Sequence, residues 1–143
     1  MAPPHALAPT DIAIICLYRA QVQRVREKLG CFGGAGESIL VGTVDACQGQ
    51  ERSVVVLTTC ASQGGGGGAH LERPQRLCVA LSRAKSHLLI VGGATALWQW
   101  DTWRTILHAA AAQPSGLRST SLRPLLSPGP RLSIPNAGGS GAS

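Results

Sequence analysis

The sequence has 143 residues, of which 44% are hydrophobic and only 3% aromatic, and its formal net charge is +6. This length allows one ordinary domain and excludes a second full one, and the scarcity of aromatic residues favours an α/β core of Val, Leu, Ile and Ala over an aromatic-rich β-sandwich. The basic balance suggests polyanionic partners but does not identify them.

Three short apolar runs in the first half of the chain are typical of buried strands. Each is bounded by polar or glycine-containing residues and is too short for an amphipathic helix. We therefore predict strands at residues 12–17, 39–44 and 53–59. Between the first two strands, helical spacing over residues 19–29 with Gly30 as the stop predicts a helix, and residues 31–37 are predicted to form a turn.

The middle of the chain contains a glycine run and then two further elements. Residues 63–69 include five consecutive glycines, whose high backbone entropy predicts a mobile surface loop. Pro74 is suited to the first turn of a helix, which we predict to continue to about residue 85. Residues 87–91 are predicted to form a fourth buried strand.

The last predicted element is a helix at residues 100–111, with Trp98, Trp103 and Leu107 on an apolar stripe. Beyond residue 113 the composition shifts to Ser, Pro, Gly and Arg without acidic residues, which predicts disorder. The expected organisation is a disordered start at 1–10, a folded region at 11–113 and a disordered tail at 114–143.

Strands that alternate with helices imply right-handed βαβ crossovers and a parallel sheet covered on both faces. Ligand sites of such sheets lie outside the carboxyl ends of the strands. We therefore expect the functional side chains in the turn that follows residue 44 and in the helix that precedes residue 87.

The cysteine pattern and the absence of long apolar runs indicate the compartment. The number of cysteines is odd and no CxxC spacing occurs, so we predict reduced, mostly buried thiols in an intracellular protein. No run approaches the length of a membrane span, and the start lacks the order of a signal peptide. We expect a cytoplasmic or nuclear location and no membrane partner. The cysteines are Cys16, Cys31, Cys47, Cys60 and Cys78.

The turn after the second predicted strand carries the first candidate site. Thr43 could offer its hydroxyl to a phosphate, and Asp45 could cap the turn. Gln48, Gly49 and Glu51 follow, where Gly49 lets the backbone pass close to a ligand and Glu51 could accept hydrogen bonds from ribose hydroxyls. The plain alternative is an Asx-type turn whose polar groups only satisfy one another.

A second candidate is the cationic group of Arg76, Arg83 and Lys85. Arg76 and Arg83 lie seven positions apart, two turns along one face of the predicted helix. An arginine that reaches a γ-phosphate from a neighbouring lobe raises the rate of transfer by several orders of magnitude. The alternative is a solvated cationic helix face.

Three segments, IAIICLYRAQVQRV, GTVDACQGQERSVVVLTT and RLCVALSRAKSHLLIVG, occur in this order within residues 11–113. Together they resemble the second RecA-like lobe of superfamily 1 helicases of the UPF1-like (DNA2/NAM7) kind, whose pattern is a strand ending in T-P-Y-x-x-Q, then motif V as T-V-D-x-x-Q-G-x-E, then motif VI as R-R-L-N-V-A-L-T-R-A. The resemblance implies a partial RecA-like parallel sheet of the P-loop NTPase type with flanking helices.

The resemblance also implies a role for each matching residue. Thr43 is similar to the motif V residue that holds a backbone phosphate of a single strand, and Glu51 to the residue near the ribose. Arg83 is similar to the motif VI arginine finger, which would be its catalytic role. The positions implied to contact nucleotide are Gln48, Gly49, Glu51, Arg76 and Arg83.

Three positions depart from the family pattern, and one stretch is interpreted as mainly structural. Residues 18–21 stand where the family has its Y-x-x-Q turn. Leu17 replaces the usual Pro, Cys47 replaces an aromatic residue, and Cys78 replaces the Asn of motif VI.

The sequence contains neither G-x-x-x-x-G-K-[ST] nor a D-E-x-x pair, the elements that hold phosphates and Mg²⁺ in such ATPases. No two acidic residues are adjacent, and neither Lys28 nor Lys85 follows a glycine. We therefore expect this chain alone to be inactive as an ATPase and to bind no cofactor tightly. The resemblance implies that ATP and Mg²⁺ act in a complete helicase, of which this chain is a fragment.

The leading hypothesis is the C-terminal motor lobe of an ATP-dependent RNA or DNA helicase. Its expected partners are single-stranded RNA or DNA and the missing N-terminal RecA-like lobe. The alternative is a non-catalytic nucleic-acid or protein interaction module, produced as a truncated form. A self-contained flavodoxin-like domain would leave the coincidence of motifs V and VI unexplained.

Overall fold

A computed structural model describes residues 6–59 and 73–113 of the chain. The chain divides into two compact units, Met1–Gly93 and Ala94–Ser143. The predicted loop at residues 63–69, the predicted tail at 114–143 and the first half of the predicted disordered start lie outside the described residues.

The first unit contains a four-stranded parallel sheet with the strand order β2-β1-β3-β4. The strands are β1 at Ile12–Cys16, β2 at Leu40–Thr43, β3 at Arg52–Thr58 and β4 at Ala84–Val91. Cys16 pairs with both Thr43 and Thr58, so the carboxyl ends of β1, β2 and β3 are level. The predicted α/β fold with a parallel sheet is confirmed.

A 3-10 turn at Pro9–Asp11 precedes β1, and five α-helices flank or follow the strands in the described residues. They are α1 at Arg19–Gly30, α2 at Gly34–Glu37 and α3 at Pro74–Leu81 in the first unit, then α4 at Ala94–Leu97 and α5 at Asp101–Ala111 in the second. The predicted turn at 31–37 contains the short helix α2. Gly36 of α2 lies against the Leu29 carbonyl, where a Cβ atom would clash, so glycine allows α2 to pack on the end of α1.

The predicted helix at 74–85 is too long, because α3 ends at Leu81 and β4 begins at Ala84. Ala84 pairs with Arg52, and the Arg52 N–H donates to the Arg83 carbonyl at 3.1 Å. Sheet pairing thus takes up residues whose local pattern also suits a helix. Consequently Arg83 does not share a helical face with Arg76, and that part of the prediction was wrong.

The sheet is covered less completely than predicted. Buried residues alternate with partly exposed ones along β3, where Val55 and Leu57 are fully buried. β4 is exposed along most of its length, with 49% of Leu89 and 52% of Val91 accessible to solvent. In the described residues β4 pairs only with β3 and forms a sheet edge. The prediction of a fourth buried strand was therefore wrong, and the predicted cover on both faces does not extend to β4.

The connection between β2 and β3 crosses β1, because these two strands lie on opposite sides of it. Val44 and Cys47 of this connection are buried. The Cys47 Sγ atom lies 3.0 Å from the place that a Cβ on Gly42 would occupy. Gly42 therefore provides the space that allows the crossing segment to lie close to the sheet.

None of the four cysteines among the described residues forms a disulfide. Cys16 and Cys47 are buried, whereas Cys31 and Cys78 are exposed. The prediction of mostly buried thiols therefore holds for only half of them, and Cys60 lies outside the described residues.

In the second unit, α5 carries the buried residues Trp103 and Leu107. Trp98 precedes this helix, and its ring centroid lies 5.1 Å from that of His108. The predicted apolar stripe thus holds for the two residues within the helix. Across residues 6–59 and 73–113, the helices are too short or too polar to span a bilayer.

Candidate functional site

The candidate residues occupy both ends of the sheet instead of its carboxyl end alone. Thr43 ends β2, whereas Glu51 precedes β3 and Arg83 precedes β4. The length of β3, about 20 Å for seven residues, separates the two ends. We call Thr43, Asp45 and Arg76 the carboxyl-end cluster, and Glu51, Arg52 and Arg83 the amino-end cluster.

The division follows from the connection that crosses β1. This connection leaves the carboxyl end of β2 and must return to the amino end of β3, since the strands are parallel. Motif V therefore begins at one end of the sheet and finishes at the other. The expectation that all candidates lie outside the carboxyl ends was wrong for Glu51 and Arg83.

Thr43 is partly buried and stabilises the turn that follows it. Its carbonyl accepts a hydrogen bond from the Cys47 N–H at 3.0 Å, and its hydroxyl oxygen accepts a long one from the Ala46 N–H at 3.4 Å. The hydroxyl proton is not used by either bond. Thr43 can therefore cap the turn and still donate to a phosphate oxygen.

Asp45 and Arg76 form an ion pair across the carboxyl end, with Arg76 Nη2 at 2.7 Å from Asp45 Oδ2. The two side chains are 65% and 33% exposed, so solvent screens the pair, and such pairs stabilise a fold by only about 0–1 kcal/mol. Asp45 was expected to cap the turn through its side chain. The turn is capped by the Thr43 hydroxyl, and the Asp45 carboxylate contacts motif VI.

Gln48 and Gly49 lie exposed on the crossing connection. Gly49 has a φ of +78°, a conformation that side-chain-bearing residues rarely adopt, and no atom lies within 4 Å of where its Cβ would stand. Glycine is thus needed here for its backbone conformation, and the space beside it is open to a ligand.

Arg83 folds back on the end of α3. Its Nε donates to the Val79 carbonyl at 3.1 Å, and Nη2 lies 3.5 Å from the Ser82 hydroxyl. Both acceptors are neutral, so the guanidinium could exchange them for a phosphate with little loss.

Arg52 holds the end of motif V in place. Its Nη1 donates to the Glu51 carbonyl at 2.9 Å and its Nη2 to Gln50 Oε1 at 3.2 Å. The Glu51 carboxylate is exposed beside it. A carboxylate and the Arg83 guanidinium are therefore available at the same end of the sheet, one suited to ribose hydroxyls and the other to phosphate.

Two groups near these clusters have a pKa above the ordinary value. Burial raises the pKa of the Cys47 thiol, and nearby Cys16 adds to the rise, whereas the guanidiniums of Arg52 and Arg26 oppose it. Burial also raises the pKa of the Tyr18 hydroxyl. Both groups are therefore neutral near pH 7, and neither acts as a base there.

The donors present can contact a nucleotide but do not form a metal site. Over residues 6–59 and 73–113, no group of three His, Cys, Asp or Glu side chains could hold a metal ion. A Mg²⁺ ion would therefore need carboxylates from outside this part of the chain. Glu51 and Arg83 fit the ribose and the phosphate of a nucleotide by their chemistry.

Sequence reasoning missed the contacts that join the motifs. The ion pair of Asp45 and Arg76 links residues 31 positions apart, and no local pattern marks it. The role of Arg52 was also missed, although its place directly after the motif V acid was a usable signal. The predicted nucleotide contact of Arg76 stays a prediction, and the structure places this residue with Thr43 rather than with Arg83.

Comparison with known proteins supplies further evidence. A family described as "AAA domain" matches residues 3–95. An uncharacterized ATP-dependent helicase of Caenorhabditis elegans is 31% identical over 106 residues, covering 74% of this chain. The putative helicase MOV-10 of Gallus gallus is 35% identical over 116 residues (71% of this chain), and regulator of nonsense transcripts 1 of C. elegans is 31% identical over 104 residues (70%). The chain spans 6%, 12% and 10% of the lengths of these relatives, respectively.

Proposed function

Because this chain belongs to the AAA-domain family of UPF1-like superfamily 1 helicases, we propose that it is the C-terminal motor lobe of an ATP-dependent RNA or DNA helicase. In this role Thr43 of the carboxyl-end cluster contacts a single strand, and Glu51 and Arg83 of the amino-end cluster contact the nucleotide. The partner lobe, ATP and Mg²⁺ come from the complete enzyme.

The observation that carries this proposal is the separation of Thr43 from Glu51 and Arg83. A motor lobe must bind a strand and a nucleotide at different places, so that closure of the lobes around the nucleotide moves the lobe relative to the bound strand. The crossing connection of motif V joins the two places through eight residues, 44–51. This short segment links the two places without any refolding of the chain.

Each cluster contributes chemistry that suits its proposed ligand. Thr43 donates its unused hydroxyl proton to a backbone phosphate, a contact that fixes register without selecting a base. Arg83 leaves its neutral partners and turns toward the γ-phosphate when the lobes close, where a guanidinium stabilises the charge of the transferred group. Glu51 accepts from the ribose, while Gln48 and Gly49 border the nucleotide.

A chimera tests the finger directly. Residues 11–113 replace the matching segment of the chicken putative helicase MOV-10, and the RNA-stimulated rate of ATP hydrolysis is measured. In a chimera that is active with the present sequence, Arg83→Ala is expected to lower the rate by about 10³-fold or more, because known fingers contribute 10³–10⁵. Arg24→Ala, an exposed arginine of α1, is the matched control and should leave the rate unchanged.

The strand contact is tested in the same chimera. Thr43→Val keeps the shape of the side chain but removes the hydroxyl, so RNA affinity should fall by about tenfold to a hundredfold, the worth of a hydrogen bond to a charged group. Thr43→Ser should retain most of the affinity. An active Arg83→Ala chimera, or a Thr43→Val chimera with unchanged RNA affinity, would remove the corresponding role.

An interaction module is the second candidate, favoured by the absence of G-x-x-x-x-G-K-[ST] and of adjacent acids from the sequence. In that case the isolated chain binds single-stranded nucleic acid without ATP. Its affinity should fall steeply as salt rises, because phosphate contacts release counterions. Fluorescence anisotropy with a labelled oligonucleotide measures this, and an absence of binding at low salt would count against the module.

A further inference from the structure

A cavity of about 500 Å³ opens near the amino end of β2, between this strand, α1 and α2. It lies apart from the proposed nucleotide contacts, since Gln48, Gly49, Glu51 and Arg83 do not line it. Its lining combines apolar side chains with two guanidiniums, one hydroxyl and the carboxylate of Glu37. The lining residues include Arg26, Arg52, Ser38, Leu29, Ile39 and Leu40.

Neither of the two arginines forms an ion pair within the described part of the chain. Arg26 Nη2 donates to the Val41 carbonyl at 2.7 Å, and Arg52 donates to the Glu51 carbonyl and to the Gln50 amide oxygen. All three acceptors are neutral. No described carboxylate lies within 4.0 Å of either guanidinium. Two positive charges and the single negative charge of Glu37 therefore line one cavity, and neither arginine is paired.

Arg52 also has a donor that its surroundings do not satisfy. Its Nε is buried and has no hydrogen-bond partner among the described residues. Buried donors in folded proteins nearly always have an acceptor, so an orphaned one calls for a cause. A small movement of this side chain toward an anion in the cavity would supply the missing acceptor.

We propose that this cavity binds a small organic anion, with a carboxylate or phosphate group held between Arg26 and Arg52 and an apolar body against Leu29, Ile39 and Leu40. The planar guanidinium presents paired donors that match both kinds of oxyanion. A volume of about 500 Å³ lies within the range of small-molecule sites, and it is too large for an inorganic ion alone. The hydroxyl of Ser38 provides one further donor.

Binding at this site alters motif V through Arg52. The guanidinium that turns to the anion gives up the Gln50 amide, which lies between the proposed nucleotide contacts Gly49 and Glu51. The anion and any ligand of that turn are thus coupled, each changing the affinity of the other by the same factor. The anion site itself does not depend on the helicase function and is tested without it.

The test uses the full 143-residue chain labelled with ¹⁵N and four probes: phenyl phosphate, benzoate, inorganic phosphate and neutral benzyl alcohol. We expect saturable shifts of the amides of Ser38 to Val41 and of Arg52 Nε–H with one or both aromatic anions at concentrations up to about 10 mM. Inorganic phosphate should bind more weakly, because it lacks the apolar body. Whichever of phenyl phosphate and benzoate binds more tightly shows whether the site prefers a phosphate or a carboxylate group.

Two substitutions assign the binding to the arginines. Arg26→Gln and Arg52→Gln should each weaken binding of the aromatic anion by about tenfold to a hundredfold, the worth of a hydrogen bond to a charged group. Arg24→Gln, which removes a charge from the same helix outside the cavity, should change the affinity by less than about twofold through screened long-range charge alone. Arg26→Lys keeps the positive charge, and it replaces Arg26→Gln in the binding measurement if that variant does not fold.

Four results would overturn the proposal. The first is an absence of saturable shifts with both aromatic anions, and the second is an equal response to benzyl alcohol. The third is binding that survives loss of either arginine. If ADP displaces the aromatic anion from the Ser38 to Val41 amides by direct competition, the cavity is part of the nucleotide site and the proposal of a separate site fails.

Discussion

The two ends of the sheet hold their charged side chains in different ways. At the carboxyl end, Asp45 and Arg76 lie 2.7 Å apart and neutralise each other. At the amino end, the hydrogen bonds described for Arg52 and Arg83 go to neutral oxygens. A paired cation must lose its carboxylate before it binds an anion, whereas a cation with neutral partners exchanges them at small cost. The carboxyl end is therefore preorganised, and the amino end is ready to rearrange.

The largest expected effect tests how tightly the carboxyl end is packed. Gly92 follows β4, and a Cβ there would collide with the Thr59 hydroxyl, which is buried. Gly92→Ala should therefore lower the free energy of unfolding by about 1–3 kcal/mol, as overpacking does elsewhere. Urea denaturation followed by circular dichroism measures the loss.

Two further variants show whether that loss comes from the collision. In a Thr59→Ala background, Gly92→Ala should cost much less, because the obstructing hydroxyl is gone. Gly30→Ala, at the end of α1 with open space around it, should be neutral or stabilise by up to about 1 kcal/mol. A full loss in the Thr59→Ala background would show that packing is not the reason.

The next largest effect concerns the crossing connection, where backbone conformation rather than packing determines the cost of a substitution. Gly49→Ala forces a side chain into the left-handed region at φ +78° and should cost about 1–2 kcal/mol. Gly49→Asn should recover part of this, since Asn tolerates that region. The same denaturation experiment applies, and a Gly49→Ala variant as stable as the parent would mean that the turn adopts another conformation in solution.

A smaller effect is expected from the ion pair that preorganises the carboxyl end. A double-mutant cycle of Asp45→Asn and Arg76→Gln should give a coupling of about 0.2–1 kcal/mol that decreases with added salt. The matched cycle at the amino end, Glu51→Gln with Arg83→Gln, should be additive within about 0.3 kcal/mol. Equal couplings at the two ends would show that the carboxyl end is no more preorganised than the amino end.

The smallest effect concerns the buried thiol under the crossing connection. Because the pKa of Cys47 is raised in the folded chain, the unfolded chain loses this proton first as pH rises. The stabilisation is complete below the usual thiol pKa and is lost as pH rises toward the raised one. Between about pH 8 and pH 10 the parent should lose more stability than Cys47→Ala, with exposed Cys78→Ala as the control. Parallel losses in the parent and in Cys47→Ala would contradict the assignment.

Local pattern was sufficient for the type and order of the four strands and the three longer helices, but not for the short helices α2 and α4. The run at residues 12–17 contains β1, and the run at 53–59 contains nearly all of β3, because a short apolar run with polar ends has few other stable conformations. The end of α3 could not be predicted in this way. Residues 84 and 85 suit either a helix or a strand, and pairing with Arg52 decides between them.

The arrangement of the site was less predictable than its members. Thr43 and Glu51 are eight positions apart in the sequence, yet they lie at opposite ends of the sheet. Their separation depends on which strands are neighbours, and that order is a property of the whole sheet. The exposure of β4 has the same origin, since an apolar run is similar in a central strand and at an edge.

The position of β4 also sets the order in which the fold opens. In the described residues β1 and β3 each pair on both sides, whereas β4 has a ladder partner on one side only. Amide hydrogen exchange should therefore be slowest in β1 and β3 and much faster in β4, whose local opening need not wait for global unfolding. Arg83 directly precedes this strand, so local fluctuation of β4 would release the backbone of the proposed finger while the centre of the sheet stays protected.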